Sequence, residues 1–250
     1  MIGKRQLIPA IPTFDGNSIA KETAKVFIDV GAVHIYSDHP FIFTSGWASP
    51  VYIDCRRLIS FPEQRQKIID YCVSVISHEI GLKNFDVIVG AETAGIPFAA
   101  WLSDKFKLPM QYVRKEPKGF ARNAWIEGSL EENQNALLVD DLATDGRSKI
   151  KFCNTLREAG AKVEHAFSLF FYDIFPETLD NLAENNLQLH SLATWAHVLE
   201  VSKNLSKFDT STLDEVEEFL HDPVSWSKAN GGIGEERRIA QPYSSRPIKC

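Results

Sequence analysis

Residues 136–148 read ALLVDDLATDGRS, an apolar run that ends in two adjacent acids and a polar loop. The apolar run predicts a buried strand, and the loop is expected to lead into a helix. Consecutive backbone N–H groups, two hydroxyls and the N-terminus of that helix would meet at residues 144–148, and such groups bind a phosphate monoester. The carboxylates of Asp140 and Asp141 repel phosphate but accept hydrogen bonds from sugar hydroxyls. The stretch therefore predicts a site for a ribose phosphate.

This stretch also permits two other interpretations. In the first, it is a surface turn in which Asp and Thr cap a helix, but a cap does not require adjacent acids at the end of a buried strand. In the second, it is the acidic magnesium pocket of a receiver or phosphatase domain. Those pockets usually collect acids from several strands, and no other expected strand of this sequence ends in an acid pair. The ribose phosphate interpretation is favoured.

Strand and helix patterns alternate on both sides of this stretch. Ser60 to Glu63 form a capping-box pattern before apolar residues spaced three and four apart, which is typical of an amphipathic helix. Alternation at these lengths predicts an α/β fold with a mainly parallel central sheet flanked by helices, and ligands at the carboxyl ends of the strands. The expected helices cover residues 60–80, 96–106 and 148–159, and the expected strands cover residues 85–89, 110–114, 136–139 and 163–171.

The domain division is expected to follow these patterns. Residues 61–173 form the predicted core, and residues 1–60 with 174–205 form a predicted hood over one edge, which together make one domain of residues 1–205. Residues 206–250 are expected to be a partly helical C-terminal extension, with a helix at 213–220, a turn at Asp222 and Pro223, and loose order over the last ~15 residues.

Composition excludes several classes of protein. The 250 residues are 44% apolar and carry a net charge of -6, which argues against nucleic acid as the main partner. No apolar run approaches the roughly 18 residues of a membrane span, and the first residues lack a signal-peptide core, so a cytoplasmic protein without a membrane partner is expected. Four scattered cysteines without C-x-x-C spacing predict reduced thiols and no zinc.

Residues 139–148 resemble the phosphoribosyl pyrophosphate signature of type I phosphoribosyltransferases. The resemblance implies that Asp140 and Asp141 hold the 2- and 3-hydroxyls of the ribose. Asp145 and Arg147 are bulkier than the residues often found in this loop, so the Asp145 side chain is expected to point away from the phosphate. The residues that would wrap the 5-phosphate are Thr144, Asp145, Gly146, Arg147 and Ser148.

Residues 41–54 read FIFTSGWASPVYID and resemble the amino-terminal hood of orotate phosphoribosyltransferases, with an S-G-x-x-S-P-x-Y core. Taken alone, an aromatic-rich strand and turn is more often part of a hydrophobic core. The resemblance implies that Tyr52 and Ile53 line the pocket for the base.

Residues 114–123 read RKEPKGFARN and carry four cations. An ordinary solvated loop is the simpler interpretation, but beside a phosphate site the segment would form a clamp for pyrophosphate. It also resembles the catalytic loop of orotate phosphoribosyltransferases, which reaches into the neighbouring subunit, and this implies a homodimer. Arg114, Lys115 and above all Lys118 are the candidate catalytic residues, and Phe120 is a candidate for substrate binding.

Residues 90–97, GAETAGIP, take the place of the family's pyrophosphate loop, with Ala94 as a candidate substrate contact. A plain turn between strand and helix remains the alternative. The chain departs from the family pattern at Thr44, Ala94 and Phe120, and residues 172–177 lack the arginine that commonly meets the carboxylate of orotate. Arg56 and Arg57 are candidates to replace it, and strand alternation would send them to opposite faces.

The resemblance implies transfer of the 5-phosphoribosyl group from phosphoribosyl pyrophosphate to orotate, which gives orotidine 5-phosphate and pyrophosphate. Mg²⁺ is the expected cofactor, held mainly by the ligand, so no protein residue is predicted as a metal ligand. Two alternatives stay open: a type I phosphoribosyltransferase for another base, and a regulator that binds phosphoribosyl pyrophosphate without turning it over. Regulators of that kind usually also bind nucleic acid, and the acidic net charge argues against one.

Overall fold

The computed structural model describes residues 14–36, 39–43, 46–118, 125–205 and 207–234, and helices and strands alternate through the middle of the chain. The helices are α1 (Gly16–Asp29), α2 (Pro62–Val75), α3 (Gly95–Phe106), α4 (Arg147–Glu158), α5 (Glu177–Glu184), α6 (Trp195–Leu205), α7 (Thr210–His221) and α8 (Pro223–Ala229). The strands are β1 (Val33–Ile35), β2 (Phe41–Ile42), β3 (Ala48–Ser49), β4 (Val51–Ile53), β5 (Val87–Ala91), β6 (Met110–Val113), β7 (Ile126–Glu127), β8 (Asn135–Ala143), β9 (Lys162–Phe171) and β10 (Gln188–Thr194).

Six strands form the central sheet, in the order β10-β9-β8-β5-β6-β7. Every neighbouring pair is parallel except β6 and β7. Helix α3 packs on β5 and β8, α4 packs on β8 and β9, and α1 packs on β10. The prediction of a mainly parallel sheet flanked by helices is therefore confirmed.

The two central strands carry the core of this sheet. All five residues of β5 are buried, and so are Leu137, Leu138 and Val139 of β8, because helices cover both faces of a parallel sheet. Since β5 and β8 run in the same direction, their carboxyl ends and the turns that follow them meet at one edge of the sheet. Among the described helices, none is both long enough and apolar enough to cross a membrane.

Strand β8 is longer than the sequence predicted. It continues through the acid pair to Ala143, because the long strand β9 offers a partner along this whole length, with Asp140 opposite Ser168 and Ala143 opposite Phe171. Asp140 and Asp141 therefore lie within the paired strand β8, near its end, and not in the loop that follows it. Their backbone positions are fixed by the sheet.

The helix predicted at residues 60–80 is present as α2, which continues without a break into a π-helical turn over Ile76–Ile80. A separate 3-10 helix precedes it and covers Cys55–Ser60. The capping-box prediction is wrong, because the residue before α2 is Phe61, which makes no side-chain cap, and Pro62 begins the helix. Asp54 caps the preceding 3-10 helix instead by accepting a hydrogen bond from the Arg56 N–H.

Contacts divide the chain into two units. The larger one contains Asp54–Val201 and the chain up to Ala32, and the smaller one contains Val33–Ile53 and the chain from Ser202. Within the larger unit, β10 pairs in parallel with β9 at the edge of the sheet, and α1 packs against it. The larger unit thus includes most of the segments that the sequence analysis assigned to a hood.

The smaller unit joins the hood motif to the C-terminal part of the chain. Strands β1 and β4 pair antiparallel, as do β2 and β3. The buried Ser227 hydroxyl accepts a hydrogen bond from the Ala48 N–H (3.0 Å) and donates one to the Ile233 carbonyl (2.9 Å). The Ile233 N–H in turn donates to the Gly46 carbonyl at 2.9 Å.

The C-terminal segment differs from its sequence prediction in one element. The helix expected at residues 213–220 is present as α7, but the turn expected at Asp222 and Pro223 is the start of α8. Asp222 accepts a hydrogen bond from the Ser225 N–H, and Pro223 occupies the first helical position, where its missing N–H does no harm. The last 15 residues, for which loose order was expected, lie outside the described residues.

Candidate functional site

The acid pair at the end of β8 has a cation beneath it that the sequence analysis missed. Lys149, in the first turn of α4, is 3% exposed, and its Nζ lies 2.5 Å from Oδ2 of Asp140, whose side chain is 13% exposed. The same ammonium also donates to the Leu142 carbonyl. The other oxygen of Asp140, Oδ1, accepts a hydrogen bond from the Asp141 N–H at 2.9 Å. Both oxygens of Asp140 are therefore held by the protein.

Asp141 has a different electrostatic environment from Asp140. Burial raises the pKa of Asp141 to about 7, and the neighbouring Asp140 charge adds to this, while the cations of Lys149 and Arg56 act in the opposite direction. The buried thiol of Cys55 lies near both acids, and burial together with their charges raises its pKa well above the usual value. The pair therefore combines one fixed, ion-paired carboxylate with one that holds a proton more tightly than usual.

The loop between β8 and α4 has the form expected of an anion site. Gly146 has a positive φ of 73° and precedes α4, which has no side-chain cap at its N-terminus. A side chain at this position would press against Leu182, with a Cβ only 3.0 Å from its carbons. Thr144 and Ser148 are half-buried on either side. The uncapped helix N-terminus is thus left to an incoming anion or to the loop itself.

The side chain of Asp145, which was expected to point away from the phosphate, contacts the first residue of α4 in this structure. Its Oδ1 accepts a hydrogen bond from the Arg147 N–H at 3.2 Å, and its Oδ2 lies 3.3 Å from Nε of Arg147. The carboxylate turns inward because the N-terminus of α4 offers N–H groups without partners in the helix, and a nearby guanidinium adds attraction. It therefore occupies one of the groups that would bind a phosphate.

The turn between β5 and α3 approaches the acid pair closely. A Cβ on Gly95 would collide with the Val139 carbonyl oxygen and would lie 3.1 Å from the Asp140 Cα. A Cβ on Gly90 would lie 2.9 Å from the Ile96 Cα. Only glycine permits this approach of backbone to backbone. Ala94, the candidate contact in this turn, is half-buried directly before α3.

The described part of the cationic loop is tied to the sheet at its first residues. Arg114 donates its N–H to the Trp125 carbonyl (2.7 Å), and its guanidinium pairs with Glu127 at 3.3 Å. The N–H of Lys115 donates to the Glu92 carboxylate at 2.7 Å, which links this loop to the β5–α3 turn. The side chains of Lys115 and Lys118 are exposed. Phe120 and the other residues of 119–124 lie outside the described residues.

The two base-pocket candidates differ in exposure. Tyr52 belongs to a cluster of aromatic rings within the smaller unit, with its centroid 5.2 Å from Phe41 and 5.9 Å from His34. It is half-buried, whereas Ile53 is 1% exposed. Ile53 therefore has no surface to offer a ligand in this structure, and Tyr52 is the better candidate of the two.

Arg56 and Arg57 lie on a 3-10 helix and not on the strand that the sequence analysis expected. The guanidinium of Arg57 donates to the Val30 carbonyl at 2.9 Å, so it serves the packing of α1. Arg56 pairs with Asp54 at 2.6 Å and is close enough to Asp141 to lower the pKa of that acid. Of the two arginines, Arg56 is therefore the one that lies near the acid pair.

Metal binding by side chains alone has no support among the described residues. Across the described ranges, no three His, Cys, Asp or Glu side chains are grouped as they would be around a metal ion. A cavity beside α1 and β10, lined among others by Asn17, Thr194 and His197, contains none of the predicted site residues. The chemistry of this unit is thus concentrated at the carboxyl ends of β5, β6 and β8.

Sequence reasoning could have found Lys149 from one signal. A lysine three residues after the loop glycine falls in the first turn of a helix, where its charge is unfavourable, and on the side that faces the strand. Arg56 had no comparable signal, because its orientation depends on the 3-10 helix that replaces the expected strand.

The known proteins that are similar to this chain agree with one another in their family. A family model described as a phosphoribosyl transferase domain matches residues 62–173. The chain is 49% identical over 216 residues to the orotate phosphoribosyltransferase of Sinorhizobium medicae, covering 86% of this chain and 93% of the relative. It is 48% identical over 216 residues to the same enzyme of Roseobacter denitrificans, covering 86% of this chain and 96% of that one.

Solved structures are similar as well. Orotate phosphoribosyltransferase from Aeropyrum pernix is 31% identical with a TM-score of 0.63, over 74% of this chain and 99% of that one. UMP synthase from Leishmania donovani is 26% identical with a TM-score of 0.69, over 80% of this chain. The match covers 42% of the UMP synthase, so this chain spans less than half of that protein.

Proposed function

The chain belongs to the family of orotate phosphoribosyltransferases, and from this membership we propose that it transfers the 5-phosphoribosyl group of phosphoribosyl pyrophosphate to orotate. The products are orotidine 5-phosphate and pyrophosphate, a step of de novo pyrimidine synthesis. The observation that carries the proposal is the junction of β8 and α4. There, a carboxylate pair stands beside the N-terminus of α4, which is preceded by a left-handed glycine.

The site residues follow from that junction. Asp140 and Asp141 accept hydrogen bonds from the ribose hydroxyls, and the loop N–H groups and hydroxyls bind the 5-phosphate, for which Asp145 must first leave the Arg147 N–H. Ala94 lies in the turn that faces the pyrophosphate, and Tyr52 with Phe120 contacts the base. The phosphate-binding residues are Thr144, Asp145, Gly146, Arg147 and Ser148.

The reaction separates charge, and the cationic loop is proposed to stabilise the negative charge on the leaving group. Departure of pyrophosphate leaves positive charge on the ribose ring and negative charge on the leaving group. Lys118 and Lys115, whose side chains are both exposed, stabilise the leaving group, and Arg114 anchors the loop through its pair with Glu127. Closure over residues 115–125 excludes water, which would otherwise trap the cationic carbon.

Mg²⁺ is proposed to arrive with the substrate. In phosphate sites this ion is usually held by substrate oxygens and water together with one or two carboxylates, and Lys149 already binds one of the two carboxylates of the acid pair. When bound, Mg²⁺ would neutralise part of the leaving-group charge. No protein side chain is assigned as its ligand.

A homodimer in the cytoplasm completes the proposal. Its support is the resemblance of residues 114–123 to a loop that acts in the neighbouring subunit, and the use of charged phosphate esters as substrates. Nucleic acid is not a proposed partner, because the net charge of -6 disfavours a phosphate backbone.

The first test is release of pyrophosphate from phosphoribosyl pyrophosphate in the presence of Mg²⁺, with orotate compared against a panel of purine and pyrimidine bases. Release with orotate alone is expected. Release only with another base would overturn the substrate but keep the reaction type. Binding of phosphoribosyl pyrophosphate without any release would favour a regulator.

The role of Lys118 is tested by Lys118→Ala. Turnover should fall by about 100-fold or more while the Kd for phosphoribosyl pyrophosphate changes only a few-fold, because the side chain acts on charge that develops during the reaction. Lys83→Ala, which removes an exposed lysine before β5, is the matched control and should behave like the wild type. Equal losses in turnover and in binding would contradict this role.

A further inference from the structure

The position of Lys149 is unfavourable for stability on two counts. Its ammonium is buried, and a buried cation is tolerated only where partners replace its hydration. It also lies in the first turn of α4, where the positive end of the helix dipole repels a cation. An apolar side chain of similar length would fill this position at lower free energy, so the residue is better explained by its effect on what it touches.

What Lys149 touches is the candidate site itself. Its three acceptors are Oδ2 of Asp140 at 2.5 Å, the Leu142 carbonyl, and more weakly Oγ of Ser148 at 3.4 Å. These acceptors come from the acid pair, from the last residues of β8 and from the start of α4. One ammonium therefore ties together the part of the site that meets the sugar and the part that meets the phosphate.

We propose that Lys149 is a positioning residue for phosphoribosyl transfer, which holds the Asp140 carboxylate in one orientation beneath the ribose hydroxyls. The proposal rests on the function proposed above for this site. With Oδ2 fixed by Lys149 and Oδ1 fixed by the Asp141 N–H, the remaining lone pairs of Asp140 point in set directions. Lys149 itself is too deeply buried to reach the substrate.

The ion pair between Lys149 and Asp140 also affects Asp141. Burial raises the pKa of Asp141, and the neighbouring Asp140 charge adds to this, whereas the Lys149 ammonium acts in the opposite direction. The other charged or titratable groups near the pair come from the segment before α2, namely Cys55 and Arg56, with Asp54 paired to Arg56. Lys149 is the only one of these groups that forms an ion pair with Asp140 in the described part of the chain. Removing its charge should therefore raise the pKa of Asp141 further.

The test is Lys149→Met, which keeps the length of the side chain and removes the charge. Binding of ribose 5-phosphate, measured by calorimetry from pH 6 to pH 9, should weaken about tenfold at pH 7.5, and the midpoint of its pH dependence should move up by about one unit. The KM for phosphoribosyl pyrophosphate should rise in parallel. Lys151→Met, which removes an exposed lysine from the same helix, should change neither. An unchanged midpoint in Lys149→Met would overturn the proposal.

A second comparison covers the case in which Lys149→Met does not fold. The double variant Asp140→Asn with Lys149→Met removes both members of the buried ion pair and so leaves no unpaired charge, whereas Asp140→Asn alone leaves the Lys149 ammonium without its carboxylate. If Lys149 acts through Asp140, these two variants should bind ribose 5-phosphate within about threefold of each other. A tenfold difference between them would mean that Lys149 does not act through Asp140. Wild-type protein that binds ribose 5-phosphate but releases no pyrophosphate with any base would refute the proposed function, while the binding results would still decide the role of Lys149.

Discussion

Asp140 and Asp141 are adjacent in the sequence but are not equivalent in the structure. Asp140 has an ammonium on one oxygen and a backbone N–H on the other, whereas the pKa of Asp141 is raised to about 7 by burial and by its neighbour. A carboxylate that is fully partnered is rigid, and one with a pKa near neutral pH can accept or release a proton there. The pair therefore combines one rigid carboxylate with one that can exchange a proton near neutral pH.

Asp141→Asn tests the electrostatics of this pair through stability. The pKa of Asp141 in the folded protein, about 7, lies above its usual value of 3.8, so the folded state binds more protons than the unfolded state between these pH values. Stability contributed by this group is consequently present at low pH and is lost as the pH rises through 7. The variant should lose less stability than the wild type between pH 5 and pH 8, by roughly 2 kcal/mol in denaturant unfolding. Parallel curves for the two proteins would contradict the raised pKa.

Asp145→Ala tests whether the loop blocks its own anion site. The carboxylate of Asp145 occupies the Arg147 N–H and places negative charge where the 5-phosphate should bind. Its removal should lower the KM for phosphoribosyl pyrophosphate by roughly threefold to tenfold, because a competing anion is lost. Asp214→Ala, on the exposed face of α7, serves as the control. A higher KM in Asp145→Ala would mean that the carboxylate shapes the loop more than it blocks it.

At the level of residues, the sequence predicted the groups that share a local segment and missed those that approach from elsewhere. Asp140, Gly146 and the loop between them could be predicted because strand, acids and helix start follow one another directly. The inward turn of Asp145 could not, because the sequence does not show which acceptor takes the N–H groups left without helix partners at the start of α4. The position of Arg56 near Asp141 could not be predicted either, since the direction of its side chain depends on the 3-10 helix Cys55–Ser60.

Two strand–helix connections form the site, and their contact depends on glycine. The β5–α3 turn approaches the end of β8 so closely that the Gly95 Cα faces the Val139 carbonyl without room for a Cβ. The N–H of Lys115 is tied to Glu92 in the same turn. The connections after β5, β6 and β8 are thus linked to one another, and a displacement of one should reach the others.

Gly95→Ala tests this linkage. The new methyl group would collide with backbone atoms of β8, which cannot rotate aside, so the start of α3 or the acid pair must move. Unfolding free energy should fall by about 1 to 3 kcal/mol, and kcat/KM should fall with it. Gly16→Ala is the matched control at a helix start, because its Cβ would meet only ring atoms of Phe14 at 3.4 Å. Equal behaviour of the two variants would contradict the close approach as a requirement for activity.

The helices and strands themselves were predictable where one pattern controlled them. The apolar runs of β5 and β9 and the periodicity of α3 and α4 fixed their type, with ends wrong by one or two residues. The end of β8 was missed because pairing with β9 extends a strand past residues of low strand propensity. Helix α8 was missed because Asp222 and Pro223 suit a turn and a helix start equally well, and tertiary contacts of Ser227 decide between them.

Across the whole chain, acidic side chains outnumber basic ones. The chain has 27 basic and 33 acidic side chains, so a cationic loop of ten residues with four of them stands out from an acidic background. A protein of net charge -6 repels a pyrophosphate ester at long range, so productive binding requires short-range contacts that the loop and the helix N-terminus supply. The proposed dimer adds a further condition, because the loop of one subunit would then serve the acid pair of the other.

Mixing two inactive variants tests this arrangement. If Lys118 acts in the neighbouring subunit, each mixed dimer of Lys118→Ala with Asp141→Asn has one site with both lesions and one site with none. Half of randomly reassociated dimers are mixed, so activity should return to about a quarter of the wild-type value. The measurement is pyrophosphate release after the two proteins are dissociated, combined and reassociated.

The control mixes Lys118→Ala with a chain that carries both substitutions, because no dimer of these two chains contains an intact Lys118 and activity must stay absent. If the first mixture also stays inactive while sedimentation shows mixed dimers, then Lys118 serves the acid pair of its own chain, and the loop closes within one subunit. If sedimentation shows only monomers, the site must be complete in a single chain. Recovery in the first mixture alone requires a site built by two subunits, since no single chain in it carries both groups.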